Sequence, residues 1–163
     1  MLPIALATQA APPANPQIDY DAFARDVRLV GAEREQRRIS EAEFIRMAAE
    51  PGTVVLDARS ERLYRLRHIQ GAVNLSFPEF TEATLAAAIP SRETRVLIYC
   101  NNNFRGLPES MPLKSIGAAL NNSTFVALYT YGYRNVYELA PVIDPANSRL
   151  QFAGSEAAAF SGT

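Results

Sequence analysis

The amino-acid sequence predicts an α/β fold, in which a mostly parallel central sheet is flanked by helices. Two observations carry this expectation. The stretches TVVLDAR (53–59) and RVLIYC (95–100) are short apolar runs bounded by turn or polar residues, as in strands covered on both faces. The segments around them have helical length and pattern, and strands alternating with short helices build parallel sheets.

Each element has its own signal. Residues 19–30 (DYDAFARDVRLV) put Phe23, Val27 and Val30 on one side of a helix. The charged stretch AEREQRR then leads to Ile39. Ser40 and Glu43 have capping-box spacing, with the hydroxyl serving the third backbone N–H and the carboxylate reaching back. The helix they open ends at Pro51-Gly52. After the first strand, ERLYRLRHI is a short helix or turn and GAVNLS a second short strand. TEATLAAAI is an alanine-rich helix opened by Thr81 and closed before Pro90. Downstream, 112–120 and 123–131 are expected as two short helices, the second stopped by Gly132, and NVYEL is the last strand. Tyr129, Tyr131, Tyr133 and Tyr137 are expected to pack in the core or at its rim.

Composition narrows the function classes. A chain of 163 residues suffices for one domain with a real core, and 48% hydrophobic against 20% charged residues is a globular balance. Sixteen Lys and Arg against 17 Asp and Glu give no basic surface for nucleic acid or anionic membrane. No apolar stretch is long enough to span a bilayer. A single cysteine excludes an internal disulfide and a zinc site of several thiolates. With His68 as the one histidine, neither a metal nor an organic cofactor is expected. The opening LPIALATQA followed by APPANPQ is similar to the end of an export signal, with cleavage near Ala5-Leu6-Ala7 or Thr8-Gln9-Ala10. No Lys or Arg precedes Arg25. A periplasmic or otherwise exported address is the expectation, with a cytoplasmic one as the alternative.

The chemistry concentrates in RVLIYCNNNFRG (95–106). In parallel sheets ligands bind beyond the carboxyl ends of strands, and Cys100 stands at such an end. A thiol attacks as the thiolate, although an ordinary cysteine titrates at about 8.5. A tightly curled loop after the strand converges its backbone N–H groups into an anion-binding nest. Asparagine suits such a curl because it tolerates left-handed backbone angles. Arg105 adds a permanent positive charge.

The ordered motifs VVLDAR, RHIQGAVNLS and RVLIYCNNNFR resemble those of rhodanese-like sulfurtransferase domains, over residues from about 38 to 141. The resemblance implies a three-layer rhodanese-like sandwich. It implies that Cys100 carries a persulfide, and that Asn101, Asn102, Asn103, Phe104 and Arg105 cradle its outer sulfur. Arg59 either pairs with an acid such as Glu61 or, by the resemblance, faces the substrate anion. Asp57 is expected to hold backbone N–H groups at the strand end, and His68 to pack. Related phosphatases have five residues between cysteine and arginine. Here four intervene, a smaller ring that suits sulfur.

The sequence departs from the family pattern in places. Asn103 stands where glycine is common, and Arg67 rather than glycine precedes His68. Gly106-Leu107-Pro108 replaces direct entry into a helix, and about a dozen extra residues come before GYRNVYEL. A helix displaced in this way would contribute less of its dipole to the thiolate. Extra segment 106–122 is expected to cover the loop.

The expected organisation is a flexible N-terminus (1–18), a helical extension (19–37), the principal domain (38–141) and a C-terminal tail (142–163). The expected activity is transfer of sulfane sulfur from a small anionic donor such as thiosulfate to a thiol or protein acceptor. The alternatives are a non-catalytic binding module of the same fold, and a redox partner forming mixed disulfides through Cys100. The oligomeric state is left open.

Overall fold

The computed structural model describes residue 13 and residues 15–157. The export-signal expectation for residues 1–10, and a mature start near Ala11, lie outside the described residues, as do 158–163.

The first helix, α1 (Tyr20–Gln36), is capped by Asp19, whose carboxylate accepts the Ala22 N–H at 2.8 Å. It continues past residue 30 through the charged stretch. Those charges suit the outer turns of a helix, where Glu33 and Arg37 pair four residues apart at 3.6 Å. Of the expected apolar stripe only Val30 is buried, while Phe23 and Val27 remain half-exposed.

Strand β1 (Arg38–Ile39) leads into α2 (Glu41–Ala48). Ser40 Oγ accepts the Glu43 N–H at 3.2 Å, but the Glu43 carboxylate forks onto Arg46 instead of returning to the cap. The reciprocal box forms at Thr81 and Thr84, opening α4 (Glu82–Ala88). Between them lie β2 (Thr53–Asp57), α3 (Glu61–Leu66), β3 (His68–Ile69) and β4 (Val73–Asn74). The chain continues through β5 (Arg95–Tyr99), α5 (Leu120–Thr130), β6 (Val136–Leu139) and β7 (Phe152–Ala153).

Five strands form one parallel sheet in the order β1-β6-β5-β2-β4, with helices on both faces. The two-residue period of a strand divides its core. Val55, Leu97 and Tyr99 pack on one face against Phe44 and Met47 of α2. Leu56, Val96 and Ile98 pack on the other against Val30, Leu85, Phe125 and Leu128 from α1, α4 and α5. As expected, the tyrosines pack in the core or at its rim: Tyr129, Tyr131 and Tyr133 belong to one core cluster and Tyr137 borders the other. Tyr133 is buried under Arg92, Tyr129 lies under Arg134, Tyr137 lies under Arg37, and the Tyr131 hydroxyl donates to the Phe80 carbonyl.

Two stretches differ from expectation. Segment 112–120 is mainly irregular, with one 3-10 turn at Ile116–Ala118, and α5 starts at Leu120 rather than 123. The Asn102 amide explains why: it donates to the Lys114 carbonyl at 2.8 Å and accepts the Lys114 N–H at 3.1 Å, removing that backbone from any helix. Residues 142–157 are ordered against the domain. β7 pairs antiparallel with β3, and Ile143 and Leu150 are buried. The N–H groups of Ser155 and Glu156 satisfy the Arg65 and Leu66 carbonyls at the end of α3. Gly154 permits this approach, since a Cβ there would stand 2.5 Å from the Leu66 oxygen.

Candidate active site

Strand β5 carries Cys100 to the carboxyl edge of the sheet, and residues Asn101–Asn103 close into one 3-10 turn. Among the described residues, no non-glycine residue has a positive φ. The asparagines are therefore not there for left-handed backbone; their amides tie four different neighbours to the loop. Asn101 Oδ1 accepts from Arg59 Nη1 at 3.3 Å. Asn102 brackets Lys114, as above. Asn103 Oδ1 accepts from the Cys100 N–H at 2.9 Å and from Asn121 Nδ2 at 3.1 Å, while its Nδ2 donates to the Leu139 carbonyl at 2.7 Å. The loop is thus fixed to Arg59 just after β2, to the inserted segment, to α5 and to β6.

Its own amides form less of a cradle than the sequence suggests. The N–H groups of Asn103, Phe104 and Arg105 donate to the carbonyls of Cys100, Asn101 and Ile143 at 3.1, 3.1 and 3.0 Å. The N–H groups of Asn121, Asn102 and Leu120 are the ones that favour the charged form of the sulfur. Two of these belong to the first turn of α5, whose cap, Ala119, has no side chain to occupy them. Gly106, at φ +75°, turns the chain outward after the loop. The inserted residues then return it, so the helix start meets the sulfur despite the detour.

Cys100 is buried. Burial pushes its thiol above the ordinary cysteine range; the three N–H groups oppose that rise, and the negative charge of Glu138 adds to it. Glu138 is 4% exposed and held by Arg34 in a two-pronged pair, Nε to Oε2 at 2.6 Å and Nη2 to Oε1 at 2.8 Å.

The expected site residues separate into three groups. Cys100, Asn102 and Asn103 line a cleft of about 250 Å³. Asn101 and Phe104 are buried and do not line it; Phe104 packs edge-on against Tyr99 and Phe152 at 6.0 and 5.5 Å between ring centroids. Arg59 and Arg105 lie elsewhere. Arg59 is sealed in the core, where Asp57 grips its guanidinium at 2.6 Å and the Ser110 and Arg67 carbonyls accept from it at 2.9 and 2.7 Å. Its partner acid is therefore Asp57 rather than Glu61. Asp57 also takes the Arg59 N–H at 3.0 Å, the role expected of it. Arg105 is 67% exposed and reaches Asp144 at 3.4 Å. His68 stacks on Tyr64 with centroids 3.7 Å apart, its Nδ1 2.7 Å from the Tyr64 carbonyl oxygen.

Five polar or charged cleft residues are not evident from the sequence: Arg34, Arg38, Asn121, Asn122 and Glu138. Two signals pointed to them. AEREQRR gathers several arginines at the junction of α1 and β1, and Glu138 is the one charge in an otherwise apolar strand. Among the described residues, no group of three or more His, Cys, Asp or Glu could hold a metal ion. No described helix is long and apolar enough to cross a membrane.

The rhodanese-like domain family matches residues 40–140, and the chain belongs to that family. The family is of sulfurtransferase type, or uses the fold as a module. Two solved structures, from Bacillus halodurans and Anabaena sp., agree on the fold. A Bacillus halodurans protein superposes with a TM-score of 0.52 at 21% identity, covering 83% of this chain and 89% of its own. The solution structure of a rhodanese-like domain from Anabaena sp. gives 0.50 at 16%, covering 74% and 80%. A rhodanese with anions from E. coli gives 0.42 at 22%, covering 63% and 99%. No curated protein matches.

Proposed function

We propose that the protein is a sulfurtransferase that carries sulfane sulfur as a persulfide on Cys100. The observation that supports it most is the chain's single cysteine at the end of a parallel strand, under the uncapped first turn of α5. The thiol first releases its proton to solvent. The thiolate attacks the outer sulfur of a thiosulfate-like donor; a Cys–S bond forms, the donor's S–S bond breaks, and its electron pair leaves on sulfite. An acceptor thiolate, or cyanide in an assay, then takes the outer sulfur and returns the Cys100 thiolate. One transfer becomes two easier ones. The amides of Leu120, Asn121 and Asn102 stabilise each sulfur anion, and nothing else need change charge.

The test is intact mass. Thiosulfate should add one sulfur atom, cyanide should remove it, and Cys100→Ser should gain none. A Cys100→Ser protein that still gains sulfur would sink the assignment.

One observation favours a second reading, a binding module without turnover. The loop amides at Asn103, Phe104 and Arg105 are already committed to carbonyls, and the thiol lies above its ordinary range. On that reading thiosulfate leaves the mass unchanged.

A further inference from the structure

A small dianion needs a cation at the mouth of the cleft, and the loop's own arginine does not supply it. Arg105 lies on the far side of the loop, against Asp144. Two other guanidinium groups line the cleft with Cys100: Arg34 and Arg38. Their situations differ. Arg34 is only 23% exposed and both its prongs are taken by Glu138. Arg38 is 38% exposed, and its ion pair is one 3.4 Å contact to Glu35, which is itself 63% exposed. Such a surface pair is weak and readily exchanged for another anion.

The register fixes where Arg38 stands. β1 pairs in parallel with β6 so that Arg38 is opposite Glu138, and residues opposite each other share a sheet face. Arg38 is therefore beside the buried carboxylate that would otherwise repel an anion approaching Cys100. Arg34 neutralises that carboxylate from behind. Asn122 adds an amide whose bonds to Ile116 and Gly117 are long, at 3.4 and 3.5 Å.

We propose that Arg38 is the residue that recognises the anionic donor, with Arg34 as the counter-ion that keeps Glu138 from repelling it. The helical extension and its first strand, rather than the cysteine loop, set specificity for small dianions. This rests on the sulfurtransferase reading for the identity of the donor, but the anion site can be tested without turnover.

The experiment uses Cys100→Ser full-length protein, which cannot load sulfur, titrated with thiosulfate and followed by backbone amide chemical shifts of Asn102, Ala119 and Asn122. Saturable shifts are expected. Adding Arg38→Ala should weaken binding at least tenfold, Arg38→Lys should recover part of it, and Arg105→Ala should leave it unchanged. Absence of saturable shifts, binding unaffected by Arg38→Ala, or an equal loss in Arg105→Ala would each overturn the proposal. Sulfur loading of the wild-type protein is measured separately by mass. Arg38-dependent binding without loading would end the sulfurtransferase reading and leave the anion site. Loading that ignores Arg38 would do the reverse.

Discussion

Strand β5 lies between two strands that each bury a carboxylate near the carboxyl edge: Asp57 on β2 and Glu138 on β6. Each carboxylate is held by an arginine. Around Asp57 the shell is closed. Arg59 is 2% exposed, the Tyr99 hydroxyl donates to the carboxylate at 2.5 Å, and the guanidinium is further bound by Asn101 and two backbone carbonyls. Burial opposes the charge on Arg59, but the hydrogen bonds and charge of Asp57 outweigh it and hold the group above its ordinary range. Around Glu138 the shell is open on one side, where the cleft admits solvent to Arg34 and Arg38. The same pair chemistry therefore does two jobs. Sealed, it fixes the loop to the sheet; bordering a cleft, it sets the field at the sulfur.

The comparison breaks most visibly at Asp57. Asp57→Asn leaves a guanidinium buried without a counter-charge, a change that typically costs about 3–5 kcal/mol. The urea midpoint should fall accordingly, with an unchanged slope. A loss under about 1 kcal/mol would mean that carbonyls alone satisfy Arg59, and that the two pairs are not different in kind.

Asn102 is the next lever, because it ties the inserted segment to the loop through Lys114. Asn102→Ala should cost about 1 kcal/mol or somewhat more, the usual range for lost hydrogen bonds. Its sharper effect is access. We expect a bulky thiol reagent to reach Cys100 several-fold faster, because segment 106–119 is released from the cleft mouth. An unchanged rate would show that the segment does not shield the sulfur.

Glu138→Gln should disturb stability less than Asp57→Asn, since Arg34 keeps contact with water. The informative readout is pH. Burial first, and Glu138 in addition, hold the thiol above its ordinary range, so the thiolate fraction of the wild-type protein is still rising where an ordinary cysteine is already ionised. Alkylation and sulfur loading should climb through that region and level off above it. Removing the negative charge moves the whole profile to lower pH and makes loading at neutral pH faster. A profile that stays in place would separate Glu138 from the sulfur's field.

How much of this was legible in the sequence depends on length scale. The buried strands β2, β5 and β6 and the caps at Ser40 and Thr81 were readable because apolar runs and cap spacing are local signals. β3 and β7 have two residues each and pair across more than eighty positions, so no periodicity could announce them. Residues 155–156 looked like tail because the groups they satisfy, the last carbonyls of α3, leave no sequence mark. The same limit applied at the site. Cys100 was evident from its strand end and loop, whereas Arg34, Arg38 and Glu138 come together only through the β1–β6 register. The three asparagines were noticed for backbone tolerance, when their amide side chains are what the fold uses.

Arg105 offers the smallest effect and the cleanest contrast with the buried Arg59. Its guanidinium is two-thirds exposed, and its partner Asp144 has other support: the Ala146 N–H and the Asn147 amide donate to that carboxylate at 3.1 and 3.0 Å. Those two bonds come before Arg105 among the causes that hold Asp144 below its usual range. The backbone of Arg105 does more than its side chain, since its N–H donates to Ile143 and Phe104 bridges Ile143 beside it. Arg105→Ala keeps that backbone and removes only a screened surface pair. The urea midpoint and the alkylation profile should both match the wild-type protein within error, while Arg105→Pro, which deletes the N–H, should lower the midpoint clearly. If Arg105→Ala instead shifts the thiol profile upward, the side chain leaves Asp144 and turns toward the sulfur, and the loop's own cation rejoins the site.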